Sequence, residues 1–181
     1  MDINKDELKK IISLPMDDAE IKKEIPDIKI ITYNELGQYK SLEQLLPKEK
    51  DFVILLYQTQ SETSGHWVCL VRNDINIYYF DSLANKIDVP LKWDNQKIMK
   101  TPYLSDLVDN QDKFNVYENT KLYQKNATGI NTCGRHCLCF IEFNRNFGLN
   151  LDQYCEVMRF LKKDMKRSYD EIVSGLINEV N

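Results

Sequence analysis

The sequence predicts an α+β fold, a central, mainly antiparallel or mixed β-sheet flanked by helices. Three observations predict it. A continuous apolar run over residues 51–58 has the character of a strand buried on both faces. Two alternating segments, 66–72 and 75–81, flank Asn73-Asp74, a dipeptide suited to a tight hairpin turn. Helical periodicity occupies both ends of the chain, and a further helix begins at Cys133. The 181 residues read as one domain, 1–181, with an N-terminal helical part (1–50), a core (51–147) and C-terminal helices (148–181).

In chain order, residues 5–13 and 16–24 are charged with Leu8, Ile11, Ile12 and Ile21 at roughly helical spacing, and Pro15 and Pro26 stop them. Residues 28–32 read as a short strand. Residues 34–46 place Leu36, Tyr39, Leu42, Leu45 and Leu46 on one side of a helix that Pro47 ends. The stretch Gln60-Ser61-Glu62-Thr63-Ser64-Gly65 is a polar loop between the first two core strands. A loop around Pro90 and Trp93 precedes a helix over about 103–110. Residues 114–118 and 120–124 read as one or two short strands, and 129–132 as a loop. The periodicity from Cys133 runs through Phe143, and 151–164 and 169–179 are two more amphipathic helices.

Composition excludes several classes. The 28 acidic and 24 basic residues give a net charge of -4, so DNA binding is not expected. Lys162, Lys163, Lys166 and Arg167 form one basic cluster, read as a solvated helix face. The longest apolar run, Phe52 to Tyr57, is far short of the roughly 18 residues a membrane span needs, so no membrane association is expected. The charged start Met1-Asp2-Ile3-Asn4-Lys5-Asp6 lacks the apolar stretch of a secretory signal. The expectation is a protein that is not secreted, with five reduced cysteines.

Two histidines narrow the chemistry. Nucleophilic attack by sulfur requires a thiolate, and a helix N-terminus lowers a thiol pKa. Cys133 follows Asn131-Thr132, a plausible N-cap, and starts an apolar-periodic helix. Gly134 beside it leaves backbone open for a substrate carbonyl. His66 opens a strand after a loop ending in Gly65, and needs an acid on its second ring nitrogen. A hairpin turning at Asn73-Asp74 pairs His66 with Asp81 on one face. An oxyanion needs donors; the Cys133 amide supplies one, and the side chain of Gln124, nine residues upstream, is placed for a second.

Gly65-His66-Trp67, Tyr79-Phe80-Asp81-Ser82, Gln124 and Thr132-Cys133-Gly134, in that order, resemble one group of cysteine proteases: adenain, the adenovirus maturation protease, and the proteases that process SUMO-like proteins. The resemblance covers about 51–147, and the compact chain looks most like viral maturation enzymes of virophages and related DNA viruses. It implies an adenain-like fold with residues 51–147 as catalytic core, Cys133 as nucleophile, His66 as general base, Asp81 orienting the imidazole and Gln124 in the oxyanion hole. Trp67 would border the cleft, with Gly65 and Gly134 beside it. It further implies cleavage of capsid or scaffold precursors at Gly-containing sites during virion maturation, in the host-cell cytoplasm and the virion. No cofactor is implied, and an activating peptide is one possible partner. The gap from Gln124 to Cys133 exceeds the group's usual six or so residues, so either the loop bulges or Asn126 or Asn131 supplies the amide.

Rival readings share these residues. A deconjugase for ubiquitin-like modifiers would use the same site, and an inactive module would only bind glycine-rich tails. A zinc site from Cys133, His136, Cys137 and Cys139 lacks spaced pairs on turns, so no metal is expected. Cys69, Cys137, Cys139 and Cys155 read as core, Cys155 having a second use if exposed, as an anchor for an activating peptide. His136 reads as a hydrogen-bonded helix residue.

Overall fold

The computed structural model describes residues 4–178. Helices α1 (Lys5–Ser13) and α2 (Asp18–Glu24) lead into β1 (Lys29–Thr32), a 3-10 turn (Tyr33–Gln38) and the single-turn α3 (Leu42–Leu45). Strands β2 (Phe52–Ser61), β3 (Ser64–Asn73) and β4 (Asn76–Phe80) follow. A second 3-10 turn (Val89–Trp93), α4 (Tyr103–Asp109) and β5 (Asn115–Glu118) precede the helices α5 (Cys133–Phe147), α6 (Leu151–Met165) and α7 (Tyr169–Asn178). The last residue of the expected 169–179 helix, and Met1 to Ile3, lie outside the described residues.

The fold is α+β, and its five-stranded sheet runs in the order β1-β2-β3-β4-β5. Pairing is antiparallel in the middle and parallel at both flanks, β1 with β2 and β4 with β5, so the sheet is mixed. The run in β2 is buried on both faces because the sheet is a middle layer. Ile54 and Leu56 face a core shared with α5, α6 and α7, while Val53, Leu55 and Tyr57 face one shared with α3 and α4. Each such fully buried aliphatic side chain contributes about 1.5–3 kcal/mol. Helix α1 packs on α7, so the two ends of the described chain meet.

Four expectations are corrected. The 34–46 helix is two pieces: Tyr39 is extended, and Ser41 restarts the chain by capping the Gln44 amide, since a local hydroxyl cap competes well with continued helix. The 60–65 loop shrinks to a turn at Glu62-Thr63, because β2 carries a bulge between Tyr57 and Ser61 that keeps it paired with β3. Residues 120–124 form no strand. The β3–β4 turn is Asp74-Ile75, with Asp74 at φ 53°, and the ladder pairs Asn73 with Asn76 and Cys69 with Phe80. His66 is therefore not directly opposite Asp81. The shift is even, so both residues keep the predicted face.

Candidate active site

His66 is the third residue of β3 and not its first, because the bulge in β2 lets Ser64 pair with Ser61 before His66 pairs with Tyr57. The bulge drives backbone against Gly65, where a Cβ would lie 1.9 Å from the Tyr57 carbonyl oxygen, so only glycine fits. His66 is 6% exposed, and its Nε2 lies 2.8 Å from Asp81 Oδ1. Because β4 stops at Phe80, Asp81 turns diagonally toward the ring. Both oxygens of its carboxylate are engaged: Oδ1 also accepts from the Leu83 amide at 2.7 Å, and Oδ2 accepts from Asn85 Nδ2 at 3.0 Å. Asn119 clamps the same residue from behind, accepting from the Asp81 amide and donating to the Asp81 carbonyl, both at 2.7 Å.

Cys133 sits at the start of α5, half-buried, and its thiol is acted on by His66 and by the backbone of Trp67 and Gly134. Burial alone would push this thiol up. The hydrogen bond and charge of His66, with the two backbone groups, outweigh it and bring the thiol below its ordinary value. Burial likewise opposes charge on His66, but the Asp81 carboxylate, and then Cys133, raise it to about 10. Both directions favour a thiolate beside an imidazolium. The structure therefore brings His66, Asp81 and Cys133 together.

Gln124 is buried, held not by a strand but by Ser82. The amides of Tyr123 and Gln124 both donate to the Ser82 carbonyl at 2.9 Å, and Ser82 Oγ donates to Gln124 Oε1 at 2.8 Å. Gln124 Nε2 donates to the Ile130 carbonyl at 3.3 Å. The long gap to Cys133 is a bulging loop, closed by the Ile130 amide on the Ala127 carbonyl and by Gly129 at φ 81°. Asn131 is not beside Gln124 as an alternative donor: its Nδ2 donates to the Ser13 carbonyl at 2.7 Å, toward α1. Asn126 is exposed.

Trp67 is 5% exposed, and its indole donates to the Met16 carbonyl at 3.0 Å. It lines a groove of about 500 Å³ with Leu56, Ile30, Asp17, Asp18 and Glu62. Gly65 and Gly134 do not line that groove. Gly134 instead lets α5 approach Met16 and Trp67, whose atoms would lie 3.2 and 3.4 Å from an added Cβ. Residues 12–16 thus wrap the site: Asn131, Arg135 and Trp67 all bond to their carbonyls. A larger groove, about 850 Å³, lies by β5 and α6 and includes half-buried Cys155 but none of the predicted site residues.

Sequence reasoning missed Asn119, Asn85 and Trp93, whose ring meets the His66 ring edge-on at 5.6 Å. Nothing in their local sequence marks them. Cys69, Cys137 and Cys139 are buried; burial pushes the Cys139 thiol up to about 12. Among the described residues no three His, Cys, Asp or Glu side chains gather as a metal requires, and no helix is long and apolar enough to cross a membrane.

No family model matches the chain. In sequence it is 31% identical over 115 residues to the uncharacterized protein V9 of Sputnik virophage, covering 60% of this chain. The match spans 64% of V9, under two thirds of that protein's length. Among solved structures it is similar to the ASFV pS273R protease, at 12% identity and a TM-score of 0.47, covering 82% of this chain and 67% of that one. It is also similar to a de-sumoylating protease, at 14% identity and a TM-score of 0.43, covering 97% and 79%. The chain resembles a virophage protein in sequence and solved proteases in fold.

Proposed function

We propose that this protein is a cysteine endopeptidase that cleaves virion precursor proteins at Gly-containing sites through an acyl-enzyme. The observation that carries the reading is one buried imidazole held between the Asp81 carboxylate and the Cys133 thiol. In this reading the Cys133 thiolate attacks the substrate carbonyl carbon. Negative charge develops on the carbonyl oxygen and is met by amides at the start of α5 and by the second N–H of Gln124 Nε2. The His66 imidazolium gives its proton to the leaving amine as the C–N bond breaks. Neutral His66 then takes a proton from water, which attacks the thioester and releases the carboxylate, returning sulfur to Cys133. Asp81 fixes the ring and offsets its charge throughout. Residues 51–147 form the catalytic core, with a polypeptide as partner and the infected-cell cytoplasm and virion as setting. The 31% identity to V9 of Sputnik virophage supports a viral role.

The test offers a capsid precursor and a SUMO-type fusion side by side to wild type and Cys133→Ala. Precursor cleavage by wild type alone is expected, as is labelling of Cys133 by a thiol-reactive peptide probe. Cleavage of the fusion alone would make the enzyme a deconjugase. No cleavage and no labelling would leave only a peptide-binding module.

A further inference from the structure

Asp170 lies on α7, far in sequence from His66 and Cys133, and is 4% exposed. It stands in the first turn of its helix, where unpaired amides favour a carboxylate. Its Oδ1 accepts from Thr132 Oγ1 at 2.5 Å and from His136 Nε2 at 3.1 Å, and its Oδ2 accepts from the Lys125 amide at 3.1 Å. One side chain therefore grips the residue before Cys133, the residue one turn into α5, and the residue after Gln124. Burial pushes this carboxyl up, but the hydrogen bonds from His136, Thr132 and the Lys125 amide outweigh it and hold the group below its ordinary value.

Thr132 occupies the N-cap position of α5 yet does not cap it. A capping residue is normally extended and turns its oxygen onto an amide of the first turn. Asn4, Asp17 and Asn150 do this for α1, α2 and α6. Thr132 instead has φ -103° and ψ 6°, and its side chain accepts nothing from the helix. Its hydroxyl is committed to Asp170. The first intrahelical bond is from the His136 amide to the Thr132 carbonyl, at 2.9 Å, so the three amides before it have no partner in the helix ladder. The Gly134 backbone is among the groups that hold the Cys133 thiol below its ordinary value.

We propose that Asp170 is a positioning residue: by drawing the Thr132 hydroxyl off the start of α5, it keeps the first-turn amides open to the Cys133 thiolate and to the oxyanion. The inference rests on reading Cys133 as the nucleophile. The charged or titratable groups facing that sulfur are His66, with Asp81 behind it, Arg135 beside it and Cys137 one turn on. Neither substitution below alters any of them.

Asp170→Ala removes the oxygen that the Thr132 hydroxyl bonds to, and so releases that hydroxyl to cap its own helix. Thr132→Val removes the hydroxyl. Two readouts are taken on the full chain: the pH midpoint of Cys133 alkylation by iodoacetamide, and peptide turnover. In Asp170→Ala the midpoint rises by about one pH unit and kcat falls roughly tenfold with KM nearly unchanged. In the double variant both return at least halfway, which loss of a mere structural support would not produce. A double variant as impaired as Asp170→Ala, or an unshifted midpoint in Asp170→Ala, overturns the proposal. If Asp170→Ala does not fold, Thr132→Val decides alone: a midpoint near the wild-type value upholds the proposal, and a rise of about one unit overturns it. If wild type shows no Cys133-dependent turnover, the peptidase reading fails, while the alkylation midpoints still decide the role of Asp170.

Discussion

The molecule holds two buried His–Asp pairs, and they differ in what faces the second ring nitrogen. His66 and Asp81 meet at the ends of β3 and β4, and the far side of that ring meets the Cys133 thiol. His136 and Asp170 meet between α5 and α7, and His136 Nδ1 is buried with no partner. The chemical consequences are opposite. Asp81 and Cys133 overcome burial at His66 and raise it to about 10. At His136 burial wins over Asp170 and lowers the ring below its ordinary value, so a neutral imidazole simply donates a hydrogen bond. The same two residue types hold a charged ring beside a thiol in one place and a neutral strut in the other. What separates them is a neighbour able to give up a proton.

That contrast can be broken by substitution. The largest expected effect is His66→Ala, which lowers kcat by roughly 10⁶ with modest loss of stability, and Asp81→Asn lowers it less, by about 10⁴. Wild-type turnover in His66→Ala would end the distinction. Next is the pH profile of Cys133 alkylation. The lowered thiol stays a thiolate to lower pH than an ordinary cysteine and loses reactivity as pH falls through the lowered value. His66→Ala moves that midpoint up toward the ordinary thiol value near about 8.5. His66 itself carries a raised pKa, so its contribution to stability is complete below about 6.5 and disappears as pH rises through about 10. The smallest effect on catalysis is expected from His136→Ala. It costs stability, about 2–4 kcal/mol from a core cavity and an unpaired Asp170, read as a lower denaturant midpoint. Its kcat per folded molecule should change less than about threefold. A loss as deep as that of His66→Ala would make the two pairs equivalent.

The two pairs also differ in how legible they were. His66, Asp81 and Cys133 stand at element boundaries that local chemistry announces: an apolar strand, a turn, a helix start. The hairpin register is hidden from the sequence because Asn73-Asp74 reads as a better turn than Asp74-Ile75, which leaves an isoleucine exposed at the tip. The face survived because side chains alternate with period two. Gln124 was placed in a strand that does not form; what holds it is Ser82, and no periodicity encodes that. Asn119 and Asp170 were invisible for the same reason. Each acts on a residue 38 positions away, through a contact that exists only in the folded chain. The first residues were equally silent, yet carbonyls from Ile12 to Met16 receive bonds from Asn131, Arg135 and Trp67.

The brace on α5 also sets an order of events during synthesis. Ribosomes make the sulfur-bearing helix well before they make the carboxylate at 170. Until α7 has emerged and docked, the nascent chain has its cysteine but not the side chain that holds Thr132 aside. A newborn chain would thus carry an unready thiol until the residues after α6 had been made.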